Sequence, residues 1–516
     1  MGQSRSRQRP STKPSSTCRS NLSKSSFLKM RSPELQVALS KIRPHTSSNL
    51  AHQKKPAQLL VALESTIQST SGFSEISVNS SSSATPTASA YFAALITTLQ
   101  GTLIRNETSL DDGDVLPATL YLIAVVIPFV PPALLRSQSS TLLPILAPLL
   151  PHTHSHAPSL RSLVTIFGIF TPSLDSNSLD APGLRSAFST LVEYTIDPRP
   201  KVRRKAAEAV YDILSSPPPP LQAHPWRVRV GEWACTVLQT LRAKPDTLIH
   251  LLAFLKMLAP RLIAREHVKT FATHLLILPK LSNPYLSQAA YGLLTSLLSS
   301  EPDDIGLDEA RETASSVLDA IVASPPSKQD AHLAPYWLSV LGQASLAATS
   351  PIPPSPSGMD LDTHSHSTAP QIDLPKIWNL AFTYLESTAE IRKSAEDTLI
   401  QLTQCVVPLL PHPPTSLLHT LEGGLTSLAY APALGNILRT LESFVMVFAA
   451  PWSDAVKKSG AQTYFRDVVR KVGSMRLEKG FQYREGADAI FSAYARAAGV
   501  DGLLSLLPLN LVPDER

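Results

Sequence analysis

Apolar segments about one helix long follow one another along this chain, each fenced by Pro, Asn, Asp or Gly; residues 91–103, 160–170, 184–194, 202–214, 248–258 and 286–298 are examples. Most fences contain proline, with 45 prolines against 20 glycines in 516 residues. Proline removes a helix hydrogen bond and its ring clashes with the preceding turn, so a chain written this way breaks into many short helices. A strand-rich chain would need more Val, Ile and aromatic alternation than is visible here. Helices this short cannot each bury an apolar face alone, and antiparallel pairs stacked as repeats are the natural solution.

A search for self-similarity finds three segments in one register: DPRPKVRRKAAEAVYDIL from Asp197, NPYLSQAAYGLLTSLL from Asn283 and TAEIRKSAEDTLIQL from Thr388. Val202, Leu286 and Ile391 share one position, Ala206, Ala290 and Ala395 lie four residues later, and Val210, Leu294 and Leu399 four later again. Each trio lines one helix face. A small Ala on that face lets a neighbouring helix approach closely, and the aliphatics above and below fill the groove. Asp197 and Asn283, each just before a proline, suit the turn between paired helices. Arg203 and Arg392, directly after the aliphatic, point off the core face, placed to bond a neighbouring repeat's turn. The pattern resembles the second helix of a HEAT repeat. It implies an all-α fold, a HEAT/armadillo-like α-solenoid of stacked antiparallel helix pairs, against the alternative of an irregular helical domain with chance similarity.

The basic residues from Arg5 to Arg31 precede the first acid, Glu34, in a Ser-rich text, so 1–33 reads as a disordered basic arm: a nuclear-targeting or RNA-touching tail, or simply a solubilising one. N-terminal HEAT-like repeats are expected over 34–349, interrupted by a Ser/Thr-rich loop at 69–90. A Pro/Ser/His linker at 350–371 marks a boundary, and further helical repeats fill 372–516. Residues 115–135 carry no charge and approach the length of a membrane span. Pro128, Pro131 and Pro132 would break such a span, so two buried helices are expected, one ending at Ile127 and the next starting after Pro132.

No phosphate-binding loop, dinucleotide fingerprint, HExxH or GxSxG occurs, leaving an enzyme reading without residues to carry it and implying no cofactor or small-molecule substrate. Cys18, Cys235 and Cys405 are too scattered for a disulfide framework or zinc knuckle, which points to a reducing compartment. The N-terminus has no apolar run of the kind a secretory signal requires. His152, His154 and His156, like His364 and His366, alternate without Cys or carboxylate support, which reads as Pro-bounded loop and not a metal site. The formal net charge of +5 is compatible with nucleic acid without demanding it. Two basic clusters are candidates for an RNA or partner surface: Arg199, Lys201, Arg203, Arg204 and Lys205 at a helix start, and Lys457, Lys458, Arg466, Arg470, Lys471, Arg476 and Lys479 near the end. Arg466 and Arg470 are one helical turn apart beside Tyr464 and Phe465, a stripe able to hold an RNA backbone by displacing its counterions. A solvated helix face or bonding between repeats is the alternative for each. Arg227 and Arg229 with Trp226 and Trp233 form a lesser candidate.

Near the start, KIRPHTSSNLAHQKKPAQLLVALESTI and TASAYFAALITTL resemble the opening of the ribosomal RNA-processing protein 12 family; near the end, YREGADAIFSAYARAAGVDGLLSLLPLNL resembles part of that family's nucleolar domain. The resemblance implies a HEAT-repeat protein of the nucleolus and nucleus that associates with pre-ribosomal particles, aids pre-rRNA processing and supports export of ribosomal subunits. RNA, the Ran GTPase and nuclear-pore proteins are the partners it implies; no membrane is among them. The family's members are longer, so this chain is expected to be its N-terminal part, from a fragment or truncated gene model. An importin-like HEAT-repeat transport receptor is the alternative reading.

Overall fold

A computed structural model describes residues 33–72, 86–240, 244–259, 261–281, 283–299, 307–349, 373–405, 415–449 and 462–507. All regular structure among the described residues is helical. The chain divides into two compact units, Met1–His224 and Pro225–Arg516. Just before the division, residues 217–220 are four consecutive prolines, which no helix can accommodate.

The longer helices of the first unit are α1 (Ala51–Gly72), α2 (Ala88–Ile104), α3 (Val115–Val126), α4 (Ala157–Phe170), α5 (Pro182–Tyr194) and α6 (Pro200–Ser215). Helices α1, α3, α4 and α6 lie side by side as one layer, while α2, three short helices within 132–152 and α5 form the other. This is the stacking of antiparallel pairs that the register implies. Because α4 has neighbours on both sides and behind it, it is apolar around most of its girth, with Leu160, Leu163, Val164, Ile166, Phe167 and Phe170 all at 0 % exposure. On α6 the buried stripe of Val202, Ala206, Ala209, Val210 and Ile213 lies opposite a polar stripe. Helices α4 and α6 approach closely, since a Cβ at Gly168 would stand 2.9 Å from the Cβ of Ala209. At the start of the unit, Glu64 on α1 accepts hydrogen bonds from Arg43 Nη2 (2.7 Å) and from the Tyr91 hydroxyl on α2 (2.7 Å), tying three segments together. Burial first, and then the Glu64 contact, push the Tyr91 hydroxyl up to about 12.

The second unit comprises α7 (Trp226–Thr240), α8 (Pro245–Leu258), α9 (Val268–Leu275), α10 (Pro284–Leu298), α11 (Leu307–Val322), α12 (Ala334–Thr349), α13 (Leu374–Phe382), α14 (Ala389–Cys405), α15 (Thr415–Thr426), α16 (Leu434–Ala449), α17 (Arg466–Leu477) and α18 (Arg484–Ala498). The even-numbered helices form one continuous layer and the odd-numbered ones cover it. Val202, Ala206 and Val210 on α6, Leu286, Ala290 and Leu294 on α10, and Ile391, Ala395 and Leu399 on α14 all have 0 % exposure. The three segments thus occupy the same layer of their respective pairs.

Several sequence expectations are adjusted by the geometry. The prolines open helices more than they close them: one stands at the first or second position of α4, α5, α6, α8, α10 and α13. There the missing N–H has no intrahelical acceptor to lose, and the fixed φ is already helical. Of the stretch 69–90 expected as a loop, residues 69–72 belong to α1 and 88–90 to α2, and residues 73–85 lie outside the described residues. Ser69 bonds back to the carbonyls of Ser65 and Thr66 (both 3.0 Å), satisfying its hydroxyl inside the helix. The arm through residue 32 and the linker at 350–371 lie outside the described residues. The even-numbered layer continues across that linker interval: the Thr398 hydroxyl on α14 donates to the Leu338 carbonyl on α12 at 3.0 Å. The two compact units divide at 224/225. In the charge-free stretch, α3 ends at Val126, a 3-10 turn covers Ile127–Phe129, and the next helix begins at Pro132 itself. No described helix is long and apolar enough to cross a membrane.

Candidate nucleic-acid interface

The basic run on α6 begins in the turn after α5, where Asp197 is 6 % exposed. Its Oδ1 accepts from the Arg199 backbone N–H (2.8 Å) and Nε (2.9 Å), and its Oδ2 from Arg199 Nη2 (2.8 Å). Burial alone would raise the Asp197 carboxyl, but the Arg199 hydrogen bonds and charge hold it below the usual carboxylate range. Arg199 also donates to the His154 carbonyl at 2.7 Å, joining the turns of successive pairs. Arg203 donates to the carbonyls of Asp197 (2.7 Å) and Pro198, and Arg392 to that of Ser387 (3.0 Å). These arginines therefore close the turn of their own repeat, not that of a neighbour, because the side chain folds back along its helix toward the N-terminus. Two of the five cations in this cluster are engaged by the fold.

The other three line a groove of about 1140 Å3 that crosses α1, α3, α4 and α6 on the open side of the first unit's layer. Lys201 is exposed and makes no ion pair with a described residue. Arg204 (3.1 Å) and Lys205 (3.2 Å) both reach Glu208. Burial alone would raise that carboxyl, and the two cations more than offset it, so Glu208 stays ionised. The Arg204 side chain is 85 % exposed, and pairs this open to water are weak enough for another anion to compete. Farther along stand Arg161 on α4, Lys55 on α1, and Lys41 just before it in sequence. These six cations face three carboxylates, Asp112, Asp114 and Glu208, so the groove is net positive before His45, His52 and His156 are considered.

Its middle is different. Pro117, Ala118, Ala124 and Val125 of α3 make an apolar floor, and Tyr121 stands on it, 43 % exposed, its hydroxyl without a hydrogen-bond partner among the described residues. The groove runs over the first turns of α3, α4 and α6, whose N-caps make no side-chain hydrogen bond, so the positive ends of these helices add to its potential.

The second cluster is used differently. Lys457 and Lys458 lie outside the described residues. Arg470 pairs with Asp467 at 3.3 Å, Lys471 donates to the Glu422 carbonyl at 3.3 Å, and Arg476 holds both oxygens of Asp488. Arg466 and Lys479 are exposed and unpaired among the described residues. Phe465, expected beside the basic stripe, is 1 % exposed and packs edge-on to Phe444, so it is core and no base could reach it. Around α7, Arg227 is fixed on the carbonyls of Arg261, Leu262 and Ile263. Trp226 is buried and Trp233 meets Phe254 edge-on, which leaves Arg229 as the exposed member. The three alternating histidines turn to different partners: His152 to the Thr108 carbonyl, His154 to Tyr194, and His156 to Ser159. No group of His, Cys, Asp or Glu among the described residues could hold a metal ion.

Sequence reasoning missed Lys41, Lys55, Arg161 and Tyr121: Arg161 and Tyr121 are single residues on their helices, and Lys41 beside Arg43 and Lys55 beside Lys54 make only short basic pairs. A usable signal was the proline spacing: Tyr121 follows Pro117 by four residues as Arg204 follows Pro200, and Arg161 follows Pro158 by three.

Residues 74–224 match a family described as RRP12-like, N-terminal HEAT repeats, and residues 385–516 match one described as ribosomal RNA-processing protein 12, HEAT repeats. The yeast protein named ribosomal RNA-processing protein 12 (Saccharomyces cerevisiae) is 24 % identical, over 72 % of this chain and 30 % of its own length. A human RRP12-like protein is 23 % identical over 99 % of this chain and 38 % of its own. This chain thus spans about a third of the length of these relatives. Among solved structures, a Kap121p mutant aligns at 13 % identity and a TM-score of 0.46, covering 95 % of this chain and 53 % of that one.

Proposed function

Because this chain belongs to the ribosomal RNA-processing protein 12 family, we propose that it is a non-catalytic scaffold that binds pre-ribosomal particles in the nucleolus and nucleus, assisting pre-rRNA processing and the export of ribosomal subunits. Stacked helix pairs offer a large surface that binds through many weak contacts instead of one reactive pocket. The observation that carries the reading is the groove of the first unit, where six cations from α1, α4, α6 and the turn before α1 line one surface, four of them within the residues matched to the family's N-terminal repeats. An array of this kind gains affinity for RNA by releasing condensed counterions from phosphates. Ran and nuclear-pore proteins are further partners on this reading.

Crosslinking RNA to the tagged chain in cells and sequencing the product tests it. Enrichment of pre-rRNA spacers is the expected result, and a random RNA profile would remove the reading. Cargo released by Ran-GTP from the chain in nucleolar extract would point instead to a transport receptor.

A further inference from the structure

Resting on the reading of the groove as an RNA surface, we infer that it holds single-stranded RNA, with Tyr121 as the face on which a base stacks. The distribution of charge along the groove carries the argument. At one end stand Lys41 and Lys55; at the other, Arg161, Lys201, Arg204 and Lys205. Between them lies the apolar floor of α3 with Tyr121 exposed on it. Four adjacent helices at the usual 8–10 Å spacing put the two ends roughly 30 Å apart.

An A-form duplex presents phosphates and 2′-hydroxyls all along its outer surface and keeps its bases paired inside, so it would lay charge over the apolar middle and gain nothing from it. A single strand matches both parts. Its backbone meets cations at either end, and its unstacked bases cover Tyr121 and the small apolar side chains between. Asp112 and Asp114, at the groove's edge before α3, disfavour a phosphate at that point and reinforce the separation of charged ends from a neutral middle. Sequence preference is expected to be slight, because every base has a face to stack and the structure places no fixed set of donors and acceptors over Tyr121.

The test uses the full chain and two fluorescent probes: a 12-nucleotide oligouridylate and a 12-base-pair RNA duplex, titrated over a range of salt. The single strand should bind at least tenfold more tightly than the duplex at equal salt. Tyr121→Ala should weaken binding of the single strand about tenfold without changing the slope of log K against log salt, since it removes a stacked base and no phosphate contact. Tyr121→Phe should restore the affinity. Helical content should be that of the parent, because alanine is a good helix former and the side chain is only partly buried.

Equal binding of duplex and single strand, or an unchanged affinity in Tyr121→Ala, would overturn the inference while leaving an RNA-binding groove in place. If neither RNA binds, the scaffold's RNA surface falls as well. Displacement of the oligouridylate by a Glu-rich aromatic peptide that binds more tightly than it would assign the groove to an acidic protein segment and overturn the inference.

Discussion

The two units are built from the same kind of helix pair and carry basic residues in similar abundance, yet they dispose of them differently. In the first unit Lys201, Arg204, Lys205, Arg161, Lys55 and Lys41 open onto one groove, with Glu208 drawing on two of them and the Ala157 carbonyl accepting from Arg161 at 3.3 Å. In the second, several cations are drawn into the fold, while Arg229, Arg466 and Lys479 stand exposed at separate places. Arg227 binds three carbonyls, Lys393 and Arg439 meet at the buried Glu396, Lys471 reaches Glu422 and Arg476 holds Asp488. Glu396 shows what this accomplishes. At 1 % exposure a carboxylate needs partners, and cations from its own helix and the next helix of the layer supply them. A basic cluster is therefore a candidate surface only to the extent that its charges are left free and converge, and among the described residues six cations converge on the groove of the first unit.

The sharpest way to break this contrast is to remove three charges from each unit and measure RNA affinity. Replacing Lys201, Arg204 and Lys205 with Ser should reduce the salt slope by about 2 and the affinity on the order of 100-fold at 0.1 M salt, from three lost phosphate contacts on a single strand. Replacing Arg470, Arg476 and Lys479 with Ser should change affinity by less than about twofold. Equal losses from the two triples would show that the groove has no special part in binding.

Arg199 sharpens the comparison from inside the basic run itself. Arg199→Ala should leave RNA affinity nearly unchanged but destabilise the first unit by about 2–3 kcal/mol, because Asp197 would keep its burial and lose its cation; the figure is below that of a fully buried pair because Arg199 is partly exposed. The pH dependence has a definite sign. The Asp197 carboxyl is depressed in the folded state, so its contribution is present above the unfolded value near 4 and is lost as pH falls through the lower folded value. Chemical denaturation of the parent and of Asp197→Asn should therefore differ most near neutrality and converge below pH 4. A constant difference down to pH 2 would contradict the pairing.

These cases mark how far the text of the chain could be read. The helices, their pairing and the buried register were legible because periodicity is a local property: Val202, Ala206 and Val210 declare a face within two turns of one helix. The division between Arg199 and Lys201 was not. Both are cations at one helix start, and what separates them is whether a buried carboxylate and a carbonyl from an earlier turn, Asp197 and His154, come within reach. Tyr121 was invisible for the complementary reason, since its place among cations exists only after α1, α3, α4 and α6 are laid side by side. Phe465 looked available beside Arg466 until the ring of Phe444 was brought against it.

Two glycines extend the comparison to packing, with smaller effects of opposite sign. Both stand within helices, where alanine is the better helix former by about 0.8–1.0 kcal/mol. At Gly423 on α15 a Cβ would meet nothing within 4 Å, so Gly423→Ala should raise the stability of the second unit by most of that amount. At Gly168 on α4 the same methyl would stand 2.9 Å from the Cβ and 3.2 Å from the Cα of Ala209, and no flexible side-chain end is there to swing away. Helix α6 must then move, so Gly168→Ala should lose about 1–2 kcal/mol net despite the gain in propensity. Since α4 and α6 both line the groove, that displacement should also weaken oligouridylate binding slightly, whereas Gly423→Ala should not. A stabilising Gly168→Ala would mean that the first unit's layer is looser than its geometry requires.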